Sequence, residues 1–326
     1  MSKPFAIGII GTGMIAERMA RTLAEMNGAE LYAVASRKQA TADEFATRWG
    51  AKRAYGSYEA MLDDPAVELV YIATPHPLHA ENAVACIERG KPVLCEKPFT
   101  VNAAEAKRVL DFARERGVFV AEAIWTRYVP LSQTINEIIA SGIIGKPQIL
   151  KADLGYPNSH MERMWNPDLA GGALLDLGVY VLNFASMVFG TEIEYIVSSC
   201  TKFPSGVDAQ NGIVITFSGG RMAILSSSLV AKTDRQGIVS GEKGFLIVDN
   251  VNNPEGITVY DFDYKPIARY EQPPQITGFE YQVQASIDAI RAGLLETPYM
   301  PHAETLRIMG LMDGLRAEWG VKYPFE

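Results

Sequence analysis

Cysteine, histidine and tryptophan are scarce in this chain of 326 residues, at three, four and four copies. Cys86, Cys95 and Cys200 are odd in number and far apart, with no Cys-x-x-Cys pair. That excludes a disulfide framework and a thiolate zinc site, and leaves reduced, buried thiols as the expectation. Basic residues are also in deficit, since 30 Lys and Arg against 38 Asp and Glu give a formal charge of -8. A nucleic-acid or membrane partner is therefore not expected, and any anion site has to be local. No apolar run approaches the roughly 18 residues that cross a bilayer. The opening Met1-Ser2-Lys3-Pro4 leads straight into an apolar strand, without the h-region and cleavage site of a signal peptide, so a cytoplasmic protein is expected. What remains is 48% hydrophobic and 21% charged, ordinary material for two globular domains.

The first 125 or so residues alternate short β-branched runs with amphipathic stretches, the pattern of successive βαβ units on a parallel sheet. Strands are predicted at Phe5 to Ile10, Leu31 to Ala35, Leu69 to Ala73, Val93 to Cys95 and Val118 to Ala121. Between the last two, Ala106, Val109, Leu110 and Ala113 share one helical face that should lie on the sheet. Beyond residue 125 the pattern changes to a helix over 131–140, a turn from Gly142 to Pro147, and alternating strands over 193–270. Gly219-Gly220 and Glu242-Lys243-Gly244 read as turns between neighbours, so this second sheet should be largely antiparallel, with one helix embedded near 173–189. Helices over 279–292 and 303–317 close the chain. The expected fold class is α/β: a Rossmann parallel sheet over 1–124, then an α+β domain with an open, mostly antiparallel sheet over 125–326, the last helix free to return to the first domain.

Gly11-Thr12-Gly13-Met14-Ile15-Ala16 is G-x-G-x-x-A directly after a strand and directly before a helical pattern, the context a dinucleotide fingerprint needs. Gly11 permits the tight turn, Gly13 lets a pyrophosphate approach the backbone, and Ala16 lets the helix lie close on the strand. The second strand of an NAD site usually ends in a carboxylate that binds the ribose hydroxyls. Here that place reads Ser36-Arg37-Lys38. A hydroxyl and a guanidinium fork complement a 2'-phosphate, so NADP is expected in preference to NAD.

Thr74-Pro75-His76-Pro77-Leu78-His79 follows a strand and opens a helix, at the carboxyl edge where such sheets bind ligands. The two histidines lack an acidic or thiol third ligand nearby, so Thr74, His76 and His79 are expected to serve the cofactor and no metal is expected. Glu96-Lys97-Pro98 ends another strand at the same edge. A partly desolvated lysine beside a nicotinamide could polarise a substrate oxygen or stabilise a phenolate. The Lys97-Pro98 bond is expected to be cis, since X-Pro bonds adopt that geometry at modest cost.

The fingerprint, the Thr-Pro-x-x-x-His loop and Glu96-Lys97-Pro98 stand in the order and spacing of the Gfo/Idh/MocA oxidoreductases, a family this chain resembles over nearly its whole length. Within it, Ala54-Tyr55-Gly56-Ser57-Tyr58-Glu59, Glu122-Ala123-Ile124-Trp125-Thr126-Arg127 and Gly171 to Tyr180 are similar to the dimeric dihydrodiol dehydrogenase group. The C-terminal third matches more loosely. The family commonly carries Asp-x-x-x-His on the embedded helix, whereas this chain has Asp176 and Tyr180. Residues four apart share a helical face. The resemblance thus implies Tyr180 as general acid/base, Lys97 as its electrostatic partner, and Asp176 as a substrate-orienting group. It also implies Trp125 toward substrate and Trp165 toward the nicotinamide; Arg127 is a further substrate-binding candidate, and Glu96 and Tyr281 are candidates for the cofactor pocket. A small polyol, sugar or cyclic diol is the implied substrate and a homodimer the implied assembly. Alternatives are another sugar or inosose reductase, and a non-catalytic sensor, which would have no need of Lys97 and Tyr180.

Overall fold

The computed structural model describes residues 3–326; Met1 and Ser2, the head of the expected lead-in, lie outside the described residues. The chain forms two compact units. One comprises the residues up to Trp125 with Gln275–Met309, the other Thr126–Pro274 with Gly310–Glu326.

The first unit is built on β1 (Phe5–Ile10), α1 (Met14–Glu25), β2 (Ala29–Ala35), α2 (Gln39–Trp49), β3 (Arg53–Tyr55), α3 (Tyr58–Leu62), β4 (Leu69–Ile72), α4 (His79–Glu88), β5 (Val93–Glu96), α5 (Ala103–Arg116) and β6 (Val120–Ala123). Its strands pair in parallel in the order β3-β2-β1-β4-β5-β6. Every residue of β1, β4, β5 and β6 is buried, as strands covered on both faces must be. The order reverses between β1 and β4, and the crevice at their carboxyl ends is where such a sheet takes ligands. The predicted face of α5, Ala106, Val109, Leu110 and Ala113, is the buried one. Asn102 caps this helix by accepting from Glu105 N–H, and Gly117 ends it in the left-handed conformation. That closure displaces the next strand from the expected Val118–Ala121 to β6, because Val118 N–H is spent on the Ala113 carbonyl. The edge of β6 is covered by the returning segment: Val120 N–H donates to Leu295 O at 3.0 Å, and His302 Nε2 lies 2.8 Å from Val120 O.

The second unit contains α6 (Pro130–Ala140), β7 (Pro147–Gly155), α7 (Glu162–Trp165), α8 (Val179–Phe189), β8 (Ile193–Lys202), β9 (Asp208–Phe217), β10 (Arg221–Ser228), β11 (Gly237–Gly241), β12 (Gly244–Val248), β13 (Gly256–Asp261) and β14 (Pro266–Glu271). Two further helices, α9 (Glu280–Arg291) and α10 (His302–Trp319), follow in the chain. The eight strands run β14-β13-β12-β11-β7-β10-β9-β8. All pairs are antiparallel except β7 with β10. β7, in the interior of this sheet, corrects the expectation that strands begin at 193. Its Lys151 and Asp153 alternate with buried Leu150, Ala152 and Leu154, and its partners lie far along the chain, so no hairpin turn announces it. One sheet face is buried, with Ile213, Ile215, Ala223, Leu225 and Val239 in the core. The other bears exposed apolar side chains, among them Tyr195 at 66% and Val197 at 53% exposure. A second correction concerns Pro167–Phe189, which by length and composition is apolar enough to cross a membrane; Ala170 and Gly172, both at positive φ, interrupt it, and the π-helical turn and α8 that follow are mostly buried in the protein's own core.

Candidate active site

At the carboxyl edge of the first sheet, Gly11 has φ +104 and a Cβ there would lie 2.7 Å from the Ala73 carbonyl oxygen, so the turn admits only glycine. Gly13 has no atom within 4 Å of its would-be Cβ, an open face above the backbone. No side chain caps α1, and its first bond joins Glu17 N–H to Gly13 O. The amides of Met14, Ile15 and Ala16 therefore point out of the helix end, where the macrodipole favours an anion. At the end of β2, Ser36 N–H is tied to Tyr55 O at 3.0 Å. Arg37 is exposed and makes no ion pair among the described residues. These features fit a dinucleotide phosphate group at the turn and a further phosphate at Arg37.

Thr74 is buried and its hydroxyl accepts from Asn82 Nδ2 at 3.1 Å. His79 is fully buried, with Nε2 2.9 Å from Thr74 O and Nδ1 2.9 Å from Pro98 O. Burial holds this imidazole below its ordinary pKa, against the pull of the two carbonyls. His79 is thus a tie between two loops, and can act on a ligand only through them. His76, half-buried, meets the His79 ring edge-on at 5.7 Å. Among the described residues no three His, Cys, Asp or Glu stand close enough to hold a metal ion.

The Lys97 segment is held from several sides. Glu96 is buried; it accepts from the Tyr71 hydroxyl and, at 3.2 Å, from Lys97 N–H. Burial pushes its carboxyl above the usual range despite these donors. The Lys97-Pro98 peptide is cis, as expected. Phe99 N–H donates to Glu122 Oε1 at 3.2 Å, and Thr305 donates to the other oxygen at 3.0 Å. Lys97 itself is half-buried. Trp125, expected to wall the substrate, is buried in the first unit's own packing: Arg18 lies 4.5 Å above its ring, Phe279 meets it at 5.3 Å, and Gly278 leaves no room for a Cβ against it. Tyr281 is half-buried on α9, and burial raises its phenol.

In the second unit Asp176 lies in a π-helical turn, Leu174–Gly178, that runs directly into α8 and Tyr180. Val179 N–H closes this wider turn on the Leu174 carbonyl. The pair expected on a regular helix is therefore separated by a bulge, a feature that recurs at functional sites. Both side chains are buried, and Asp176 Oδ1 pairs with Arg163 Nη1 at 3.2 Å. Arg127 is buried and donates from Nε to Asn183 Oδ1 at 2.5 Å, while Asn183 Nδ2 donates to Val179 O at 2.7 Å. Arg127 is thereby anchored to α8 three residues beyond Tyr180. Trp165 ends α7 and is 38% exposed. Asn183, Glu122 and Arg163 were absent from the expectations. The first two carried a faint signal, as lone polar residues within apolar runs; Arg163 carried none.

Residues 5–123 match the Gfo/Idh/MocA oxidoreductase family in its NAD-binding Rossmann fold, and residues 132–247 match the Gfo/Idh/MocA C-terminal domain. The trans-1,2-dihydrobenzene-1,2-diol dehydrogenase of Mus musculus is 34% identical over 330 residues, covering 97% of each chain. That of Homo sapiens is 32% identical, again over 97% of each. A crystal structure of a 3-ketoreductase from Actinomadura kijaniata, in complex with NADP and TDP-benzene, is similar at TM-score 0.86 and 28% identity, covering 97% of this chain and 98% of that one. Levoglucosan dehydrogenase, with NADH and L-sorbose, shares the fold at TM-score 0.87 and 20% identity over 99% and 100% of the two chains. The chain belongs to the Gfo/Idh/MocA oxidoreductases, and it is an enzyme with an NAD-binding Rossmann domain.

Proposed function

We propose that this enzyme is an NADP-dependent dehydrogenase or reductase acting on a carbinol or carbonyl carbon of a cyclic diol, aldose or related polyol. The observation that carries the reading is the clamped Lys97 segment, fastened through Glu96, His79 and Glu122 on the same sheet edge as the open Gly11–Gly13 turn. The nicotinamide would give or take the hydride. The amides of Met14 and Ile15 would hold the pyrophosphate, and Ser36 and Arg37 the 2'-phosphate. Thr74, His76, Trp165 and Tyr281 are assigned to the cofactor's surroundings.

Tyr180 supplies the proton to the substrate oxygen in reduction and removes it in oxidation. The Lys97 ammonium stabilises the phenolate that remains. Asp176, aligned by Arg163, and Arg127, aligned by Asn183, orient the substrate hydroxyls. The dihydrodiol dehydrogenase relatives and the 3-ketoreductase neighbour support a diol or sugar as the reacting partner. The exposed sheet face of Tyr195, Val197, Met222 and Ile224 supports a homodimer, which light scattering would test, and the proposed compartment is the cytoplasm.

The deciding experiment is NADPH and NADP turnover on a panel of aldoses, cyclic diols and diketones. Turnover on at least one diol or aldose, faster with NADP than with NAD, is expected. No turnover on any member despite NADPH binding would refute the assignment.

A further inference from the structure

Asp208, the first residue of β9, is fully buried and stands outside the proposed catalytic and cofactor-binding groups. Its Oδ2 accepts two bonds, from Leu174 N–H at 2.7 Å and from Asn211 Nδ2 at 2.9 Å. Leu174 begins the π turn that carries Asp176 and leads into Tyr180. Asn211 Oδ1 lies 3.0 Å from the Ser227 hydroxyl, on the directly paired position of β10, and that hydroxyl is also 3.3 Å from the Ala173 carbonyl. The network therefore crosses from β9 to β10 and touches the same helical segment again. A third contact is steric. Gly172 has φ +129, and a Cβ there would lie 2.3 Å from Asp208 Oδ1, so the glycine lets the backbone settle directly onto the carboxyl. That Oδ1 takes no hydrogen bond from any other described residue.

Burying a carboxyl costs free energy, so one kept fully buried against the start of a π turn needs a reason. Its geometry supplies one. A π turn lacks the regular α-helical bonds that would otherwise set its register, and an amide-to-carboxyl bond at its first residue fixes where the turn begins. Burial pushes the Asp208 carboxyl above the usual range, opposed by its Asn211 and Leu174 donors, by its own main-chain N–H and by Arg316.

We propose that Asp208 is a positioning residue for the acid/base, fastening the start of the Asp176–Tyr180 segment to the sheet through Leu174 N–H and the Asn211–Ser227 pair. The proposal rests on the reading of Tyr180 as the proton donor. Asp208 touches neither substrate nor cofactor; it acts through the placement of Tyr180.

The test compares Asp208→Ala, Asp208→Asn, Asn211→Ala and Tyr180→Phe in the full chain. Asp208→Ala removes the acceptor, and a displaced acid/base costs on the order of 100-fold in kcat. The Kd for NADPH, measured by fluorescence titration, should stay within about twofold of wild type because the nucleotide residues lie elsewhere. The pH dependence of kcat should move along the pH axis. Asp208→Asn keeps an oxygen for Leu174 N–H and should restore kcat to within a few fold, with the wild-type pH profile. Asn211→Ala, the milder change, should lower kcat in the same direction and decides the matter should Asp208→Ala fail to fold. Wild-type kcat and pH profile in Asp208→Ala or Asn211→Ala, with Tyr180→Phe inactive, would overturn the positioning role and leave the acid/base assignment standing. Full turnover in Tyr180→Phe would instead remove the acid/base assignment and the positioning role with it.

Discussion

The two units hold their proposed reactive residues by the same chemistry, buried carboxyls accepting main-chain N–H groups, but they draw those carboxyls from different distances. In the first, Glu96 accepts from its neighbour Lys97, and Glu122, on the adjacent strand β6, accepts from Phe99. A parallel sheet delivers all its carboxyl strand ends to one edge, so each holding group sits beside the segment it holds. In the second, Asp208 lies 34 residues from Leu174. An antiparallel sheet sends alternate strands the opposite way, and the support for an embedded helix comes from whichever strand end lies under it. The first arrangement follows from the strand order of a parallel sheet, the second from a register that no motif marks.

The comparison breaks most sharply at the proton donor. Tyr180→Phe is expected to lower kcat about 100-fold or more while NADPH binding is retained, within the range for loss of an acid/base; steady-state kinetics paired with a binding titration would check it. If binding fell as well, the division of labour between the units would be wrong. Next in size is Gly11→Ala, which places a Cβ 2.7 Å from Ala73 O at φ +104. Backbone strain of this kind costs about 1–3 kcal/mol. A lower melting temperature and weakened nucleotide binding are expected, and an unchanged melt would show that the turn relaxes.

Arg37→Ala should raise the KM for NADP about tenfold, equivalent to ~1.4 kcal/mol, and leave that for NAD unchanged. Equal losses with both cofactors would remove the 2'-phosphate assignment. The smallest effect concerns pH. Burial raises the Glu96 carboxyl in the folded state, so the folded protein holds that proton more tightly than the unfolded chain, whose carboxyl titrates near pH ~4.3. Its contribution to stability is therefore full below that pH and is lost as pH rises through the raised folded value. Melting temperature against pH should fall less steeply over this window in Glu96→Gln than in wild type, and identical slopes would contradict the buried acid.

Much of this protein was determined by sequence features that act over a few residues. The β1 turn and α1, the face of α5, and the turns at Gly219-Gly220 and Glu242-Lys243-Gly244 all follow from backbone sterics and periodicity that a short segment enforces on itself. Tertiary structure alone decided the rest. It placed β7 inside the second sheet, widened the helix between Asp176 and Tyr180, turned His79 inward as a tie between loops, packed Trp125 under Arg18 and set Asp208 beneath Leu174. Each of these depends on a partner distant in the chain or on a register set by packing, and a hydrogen bond between remote residues leaves no period, spacing or composition by which either end announces the other.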